Sequence, residues 1–98
     1  MINKLYVLVR GDLQPGVQIA QSCHAVADFM LNHDVWKNET IVCLKVKDEA
    51  ELLKWEHLFY MNEFKYNSFR EPDMDNQVTA IAAHDLSLPK ILKKLNLV

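Results

Sequence analysis

The 98-residue chain, 11.4 kDa in mass, has room for one domain, able to bury roughly 65% of the surface its unfolded form exposes. Half of its residues are hydrophobic and 24% are charged, with only two Gly and three Pro, which excludes disordered, collagen-like and low-complexity classes. A formal charge of -2 excludes a global positive field, so any contact with phosphate has to be local.

The first element is the apolar, β-rich run Leu5-Tyr-Val-Leu-Val9, which predicts a strand covered on both faces of an α/β sheet. Turn formers in Arg10-Gly-Asp-Leu-Gln-Pro-Gly16 end it. From Val17 to about Asn32, Ile19, Cys23, Val26 and Met30 recur at helical spacing, widened by Ala20, Ala27 and Leu31. This predicts a helix that buries that stripe. Strand, short glycine-containing loop and helix open a βαβ unit.

Thr40-Ile-Val-Cys-Leu-Lys-Val46 reads as a second strand, parallel to the first. Asp48, with Glu51 three residues on, reads as a capping-box-like helix start. Leu52, Trp55, Leu58 and Phe59 then line one face of that helix to about Asn62. Phe64 to Phe69 and Val78 to Ala82 read as two further strands, and Ser87 as the cap of a last helix carrying Ile91, Leu92 and Leu95. The expected fold is a single α/β domain over residues 1–98, with element order β-α-β-α-β-β-α.

Cys23 and Cys43 lie in apolar surroundings, which predicts buried thiols in a reducing compartment. No apolar run approaches the ~20 residues of a membrane span, and Met1-Ile2-Asn3-Lys4 lacks the features of an export leader. The expectation is a cytoplasmic protein with no membrane partner.

Gln21, His24 and Asp28 share one side of the first helix with Val17. That side reads either as a solvated polar face or as a site in which Asp28 orients His24 for proton transfer. Pro15-Gly16 opens the helix, so its free N–H groups form either a water-satisfied start or an anion site. Arg70-Glu-Pro-Asp-Met-Asp-Asn-Gln77 places Glu71, Asp73 and Asp75 between the last two strands. This segment reads equally as an acidic turn, a general base or a hard-cation site. No phosphate-binding loop, dinucleotide fingerprint or paired zinc spacing is present, so neither cofactor nor metal is expected.

The segments Tyr6-Val-Leu-Val-Arg-Gly-Asp-Leu13 and Gly16-Val-Gln-Ile-Ala-Gln-Ser-Cys-His-Ala25 resemble the type 2 peptidyl-tRNA hydrolases. That family opens with a strand ending V-R-x-D-L and a helix beginning G-K-[IV]-A-A-Q-x-x-H-A. Arg10, Asp12, Leu13, Gly16, Ala20, Gln21, His24 and Ala25 match. The family's later D-A-G-x-T and T-V block looks like Glu71-Pro-Asp73 leading to Thr79-Ala-Ile. Where the family carries its lysine this chain has Val17, and Glu71 is one methylene longer than the family's acid.

The resemblance implies a mixed four-stranded sheet with helices on both faces. It also implies hydrolysis of the ester between an acyl or peptidyl group and tRNA. Glu71, His24, Thr79 and Gln21 would then be catalytic, with Arg10, Asp12, Gly16 and Asp73 holding the substrate. A non-catalytic module that binds a nucleotide, a tRNA end or a protein on the same scaffold is the alternative. A homodimer formed through an exposed Trp or the terminal helix is the associated interaction expectation.

Overall fold

The structure, a computed structural model, describes residues 3–98. Met1 and Ile2 of the opening segment lie outside them. The strands are β1 (Lys4–Arg10), β2 (Thr40–Val46), β3 (Lys65–Glu71), β4 (Gln77–His84) and β5 (Asn96–Leu97), and the helices are α1 (Pro15–Asn32), α2 (Glu49–Met61) and α3 (Leu88–Ile91). The sheet therefore has five strands, in the spatial order β3-β4-β1-β2-β5, rather than the expected four. β1 and β2 run parallel, and the other three pairings are antiparallel. Among the described residues no helix is long and apolar enough to cross a membrane.

β1 is the centre of the sheet, and Leu5, Val7, Leu8 and Val9 are fully buried. Its alternation divides the interior in two. Leu5, Val7 and Val9 pack with Ala25 and Phe29 of α1 on one face, while Tyr6 and Leu8 pack with Leu52, Phe59, Leu88 and Leu92 on the other. Helices thus cover both faces.

α2 begins with reciprocal capping. Asp48 Oδ1 accepts from the Glu51 N–H at 3.0 Å, and Glu51 Oε1 accepts from the Lys47 N–H at 2.6 Å. The helix ends where Glu63 takes a left-handed φ of 57° and the Phe64 N–H reaches back to the Phe59 carbonyl.

Other expectations fail. Of the predicted stripe only Val26 packs against the core; Ile19, Cys23, Met30 and Leu31 face outward, with Ile19 65% and Leu31 83% exposed, while Gln18, Gln21, Ala25 and Phe29 face the sheet. α1 lies over β3, β4 and β1 and leaves the same face of β2 largely uncovered, so the rest of the apolar stripe has nothing to pack against. Cys23 is accordingly exposed rather than buried. The terminal helix is a single turn without a cap bond from the Ser87 side chain, whose hydroxyl donates to Asp85 Oδ2 instead. Leu92 N–H closes it on the Leu88 carbonyl, and the following residues turn back so that Asn96 and Leu97 pair with Lys45 and Leu44. Trp36 is buried and Trp55 half-buried, so neither is the exposed Trp envisaged for a dimer.

Candidate active site

The carboxyl end of β1, the start of β4, the end of β3 and the first turns of α1 meet at one corner of the sheet. β4 carries a bulge there. Phe69 pairs with Ala80 and Arg70 with Val78, leaving Thr79 unpaired between them. Strict alternation would send Thr79 to the opposite face from Ala80; the extra residue instead turns its side chain toward α1. Thr79 Oγ1 donates to Gln21 Oε1 at 2.5 Å, and both residues are buried.

Fixing the oxygen of the amide in this way points its NH2 group outward, where Gln21 Nε2 donates to Glu71 Oε1 at 2.9 Å. The other Glu71 oxygen accepts from the Asp73 N–H at 3.3 Å and caps the 3₁₀ turn Pro72–Met74. Left-handed Asp75 and Asn76, with the Asn76 N–H on the Glu71 carbonyl at 3.0 Å, close the connection into β4. Three residues from three elements thus form one chain of hydrogen bonds that begins in the core and ends on a half-buried carboxylate at the surface.

His24 lies one turn beyond Gln21 on α1. Its ring stacks on Phe69, with centroids 4.5 Å apart and planes 12° from parallel. The expected Asp28 partnership is absent among the hydrogen bonds of the described residues: the imidazole is held by the Phe69 face, not by a carboxylate. Phe69 is therefore a positioning residue that sequence spacing did not reveal, because the contact depends on which face of β3 meets α1.

Arg10, expected among the substrate-holding residues, is engaged within the protein. Its Nε and Nη2 donate to Asp12 at 3.0 and 2.9 Å, and Nη1 donates to Gln77 Oε1 at 2.8 Å and the Val78 carbonyl at 3.3 Å. The guanidinium is buried and fully engaged, tying the exit of β1 to the entry of β4. Its bond with Asp12 holds the Asp12 carboxyl below the ordinary carboxylate range and raises Arg10 above its own. Asp12 consequently serves the latch, and Gln77, missed in the sequence, completes it.

Gly16 is exposed, and a Cβ there would meet nothing within 4 Å. The α1 start it belongs to has no side-chain cap and no acidic residue in its first turn, so no side chain caps its leading N–H groups. Asp73 is exposed, its N–H engaged by Glu71. Arg70 turns away from the site to pair with Glu56 on α2 at 3.0 Å. Among the described residues no three His, Cys, Asp or Glu side chains converge as metal ligands would.

Comparison with known proteins adds to this geometry. The family model described as Peptidyl-tRNA hydrolase PTH2 matches residues 3–98. No curated protein matches. Among solved structures, the protein of unknown function Atu0240 from Agrobacterium tumefaciens str. C58 is similar in fold. Its TM-score is 0.77 at 16% identity, over 100% of this chain and 99% of that one.

Proposed function

Because the chain belongs to the type 2 peptidyl-tRNA hydrolase family, we propose that it hydrolyses the ester joining an acyl or peptidyl group to the terminal ribose of tRNA. The observation that carries this reading is the convergence of Thr79, Gln21 and Glu71 in one hydrogen-bonded chain that opens to solvent.

Ester hydrolysis needs an activated water, donors for the tetrahedral oxyanion and a proton for the leaving oxygen. Glu71 takes a proton from water as the water oxygen bonds to the carbonyl carbon. The Gln21 amide, oriented by Thr79, holds that water beside the carboxylate. The uncapped N–H groups around Gly16 face the carbonyl oxygen as it gains charge. When the intermediate collapses, the carbon–ribose oxygen bond breaks. His24, one turn from Gln21 and steadied on Phe69, gives a proton to the departing ribose oxygen; Glu71 then releases its proton to solvent and His24 takes one up, which restores the site. Asp73 and the 3₁₀ turn keep the Glu71 carboxylate in place. Arg10 and Asp12 support the substrate side indirectly, by fixing the loop from which α1 starts.

The test is release of the acyl group from peptidyl-tRNA by the purified protein, with Glu71→Gln and His24→Ala beside it. Turnover lost in Glu71→Gln supports the reading. Absence of turnover above buffer in the unaltered protein removes it. Val17, 36% exposed one turn before Gln21 where the family carries a lysine, favours a second reading, a module that binds the tRNA end without cleaving it. Saturable binding of peptidyl-tRNA without turnover would select that reading.

A further inference from the structure

Two of the clefts outside the candidate site adjoin each other. One, of about 440 Å³, is bordered by Gly11, Lys45, Lys47 and Lys94. The other, of about 570 Å³, runs along the first turns of α2 past Lys54 and Trp55. Lys47 and Glu51 border both, so the two form one groove from β5, across the end of β2, onto α2.

The charges along this groove are unbalanced although the whole chain is slightly acidic. Among the described residues none of Lys45, Lys47, Lys54 and Lys94 is in an ion pair, the pairs being Arg10–Asp12, Lys37–Asp34 and Arg70–Glu56. The two acids on the groove floor, Asp48 and Glu51, are engaged with backbone N–H groups at the start of α2. Gly11, which lines one end of the groove, follows directly on Arg10 of the latch. A Cβ there would stand 2.7 Å from Lys45 Cγ, so the lysine stem lies flat against the loop that follows Arg10.

Lysines spaced along a groove that also presents a half-buried indole match the chemistry of an unpaired nucleic-acid strand, whose phosphates pair with cations and whose bases stack on aromatic faces. The candidate site itself is bordered by Glu71, Asp73 and Asp12 and, among the described residues, offers no unpaired lysine or arginine, so the phosphates of an RNA substrate have to be held elsewhere. We infer that this groove is the track for the unpaired RNA strand of the substrate, with Lys45, Lys47, Lys54 and Lys94 on its phosphates and a base on Trp55. The inference rests on the hydrolase reading for the identity of the RNA.

The experiment titrates the full chain with uncharged tRNA, following indole fluorescence, and repeats it with tRNA trimmed of its unpaired 3′ nucleotides. Four phosphate contacts to a single strand predict that log K falls with log salt at a slope of about -2.8, a loss of about 50-fold between 50 and 200 mM. Lys45→Gln, Lys47→Gln and Lys94→Gln combined should bring the slope to about -0.7, and Trp55→Leu should abolish the fluorescence change while binding persists more weakly. Trimmed tRNA binding as tightly as intact tRNA, or an unchanged slope in the triple variant, would overturn the inference. Since uncharged tRNA is not cleaved, the outcome is independent of turnover. Binding here without hydrolysis removes only the enzymatic reading, and hydrolysis with an unaffected triple variant removes only the groove.

Discussion

Thr79 Oγ1 donates to Gln21 Oε1 across 58 residues of sequence, and this one bond decides which end of the Gln21 amide meets Glu71. Thr79→Val keeps the shape and removes the donor, leaving a buried amide oxygen unpaired at a cost of about 1–3 kcal/mol. With the amide free to turn, kcat should fall about 10- to 100-fold, and Thr79→Ser should recover most of it. Steady-state rates on peptidyl-tRNA, set beside thermal melts of the same variants, separate the two effects; an undiminished kcat in Thr79→Val would show that the amide needs no orienter.

Glu71→Gln should lower kcat about 10²- to 10⁴-fold, the range of a positioned proton-transfer group, and Gln21→Ala, which removes the group that holds the water, about 10²-fold. Circular dichroism should show the fold retained in Glu71→Gln, because the glutamine can still accept from the Asp73 N–H. His24→Ala should lower kcat less, because water replaces the imidazole as proton donor.

The Arg10–Asp12 latch carries a pH signature. The guanidinium holds the Asp12 carboxyl below its ordinary value, so the folded state binds that proton less readily than the unfolded state does. The stabilisation is therefore present above about pH 4 and is lost as pH falls through the lower folded value. With its side chain 40% exposed, Asp12 contributes about 1 kcal/mol or less through this pair at neutral pH. Urea melts of Asp12→Asn and the unaltered chain should differ at pH 7, with the gap narrowing as pH falls below about 4; a constant gap would contradict the latch.

Glu63 occupies the left-handed position that ends α2, where a side chain is strained and glycine is not. Glu63→Gly should stabilise the fold by about 0.5–1 kcal/mol once the greater freedom of glycine in the unfolded chain is set against the relieved strain. That corresponds to a rise in Tm of roughly 3–8 °C, readable by calorimetry.

The orientation of α1 is testable from both sides. Ile19→Lys and Leu31→Lys should change stability by no more than about 0.5 kcal/mol, whereas Phe29→Ala should cost about 3–5 kcal/mol. Alkylation should mark Cys23 first, since burial pushes the Cys43 thiol up while Cys23 is exposed. Mass spectrometry after brief iodoacetamide treatment reads the order.

β1, β2, both long helices and the capping box at Asp48 were legible because each is written in local periodicity or turn chemistry. The buried face of α1 was not. Hydrophobicity counts Ile19 and Leu31 as interior, yet Gln18 and Gln21 lie inside because each finds polar partners, the Leu13 carbonyl for one and Thr79 with Glu71 for the other. Those last partners are contributed from 50 and 58 positions away, beyond any local pattern. β5 was illegible for a different reason: two residues have no period, and only the exposed edge of β2 makes a strand of them. The family resemblance singled out Thr79, but only the bulge in β4 explains how it reaches the helix.

The two sheet-facing glutamines of α1 also fix the azimuth of that helix. Hydrocarbon side chains tolerate a small roll about the axis, whereas an amide bonded to a hydroxyl and a carboxylate has one acceptable angle. A roll by one residue would bury Ile19 and strand both amides. The side chain assigned to guide water is thus also the indexing pin of its own helix, and selection on the chemistry and selection on the packing act on a single position.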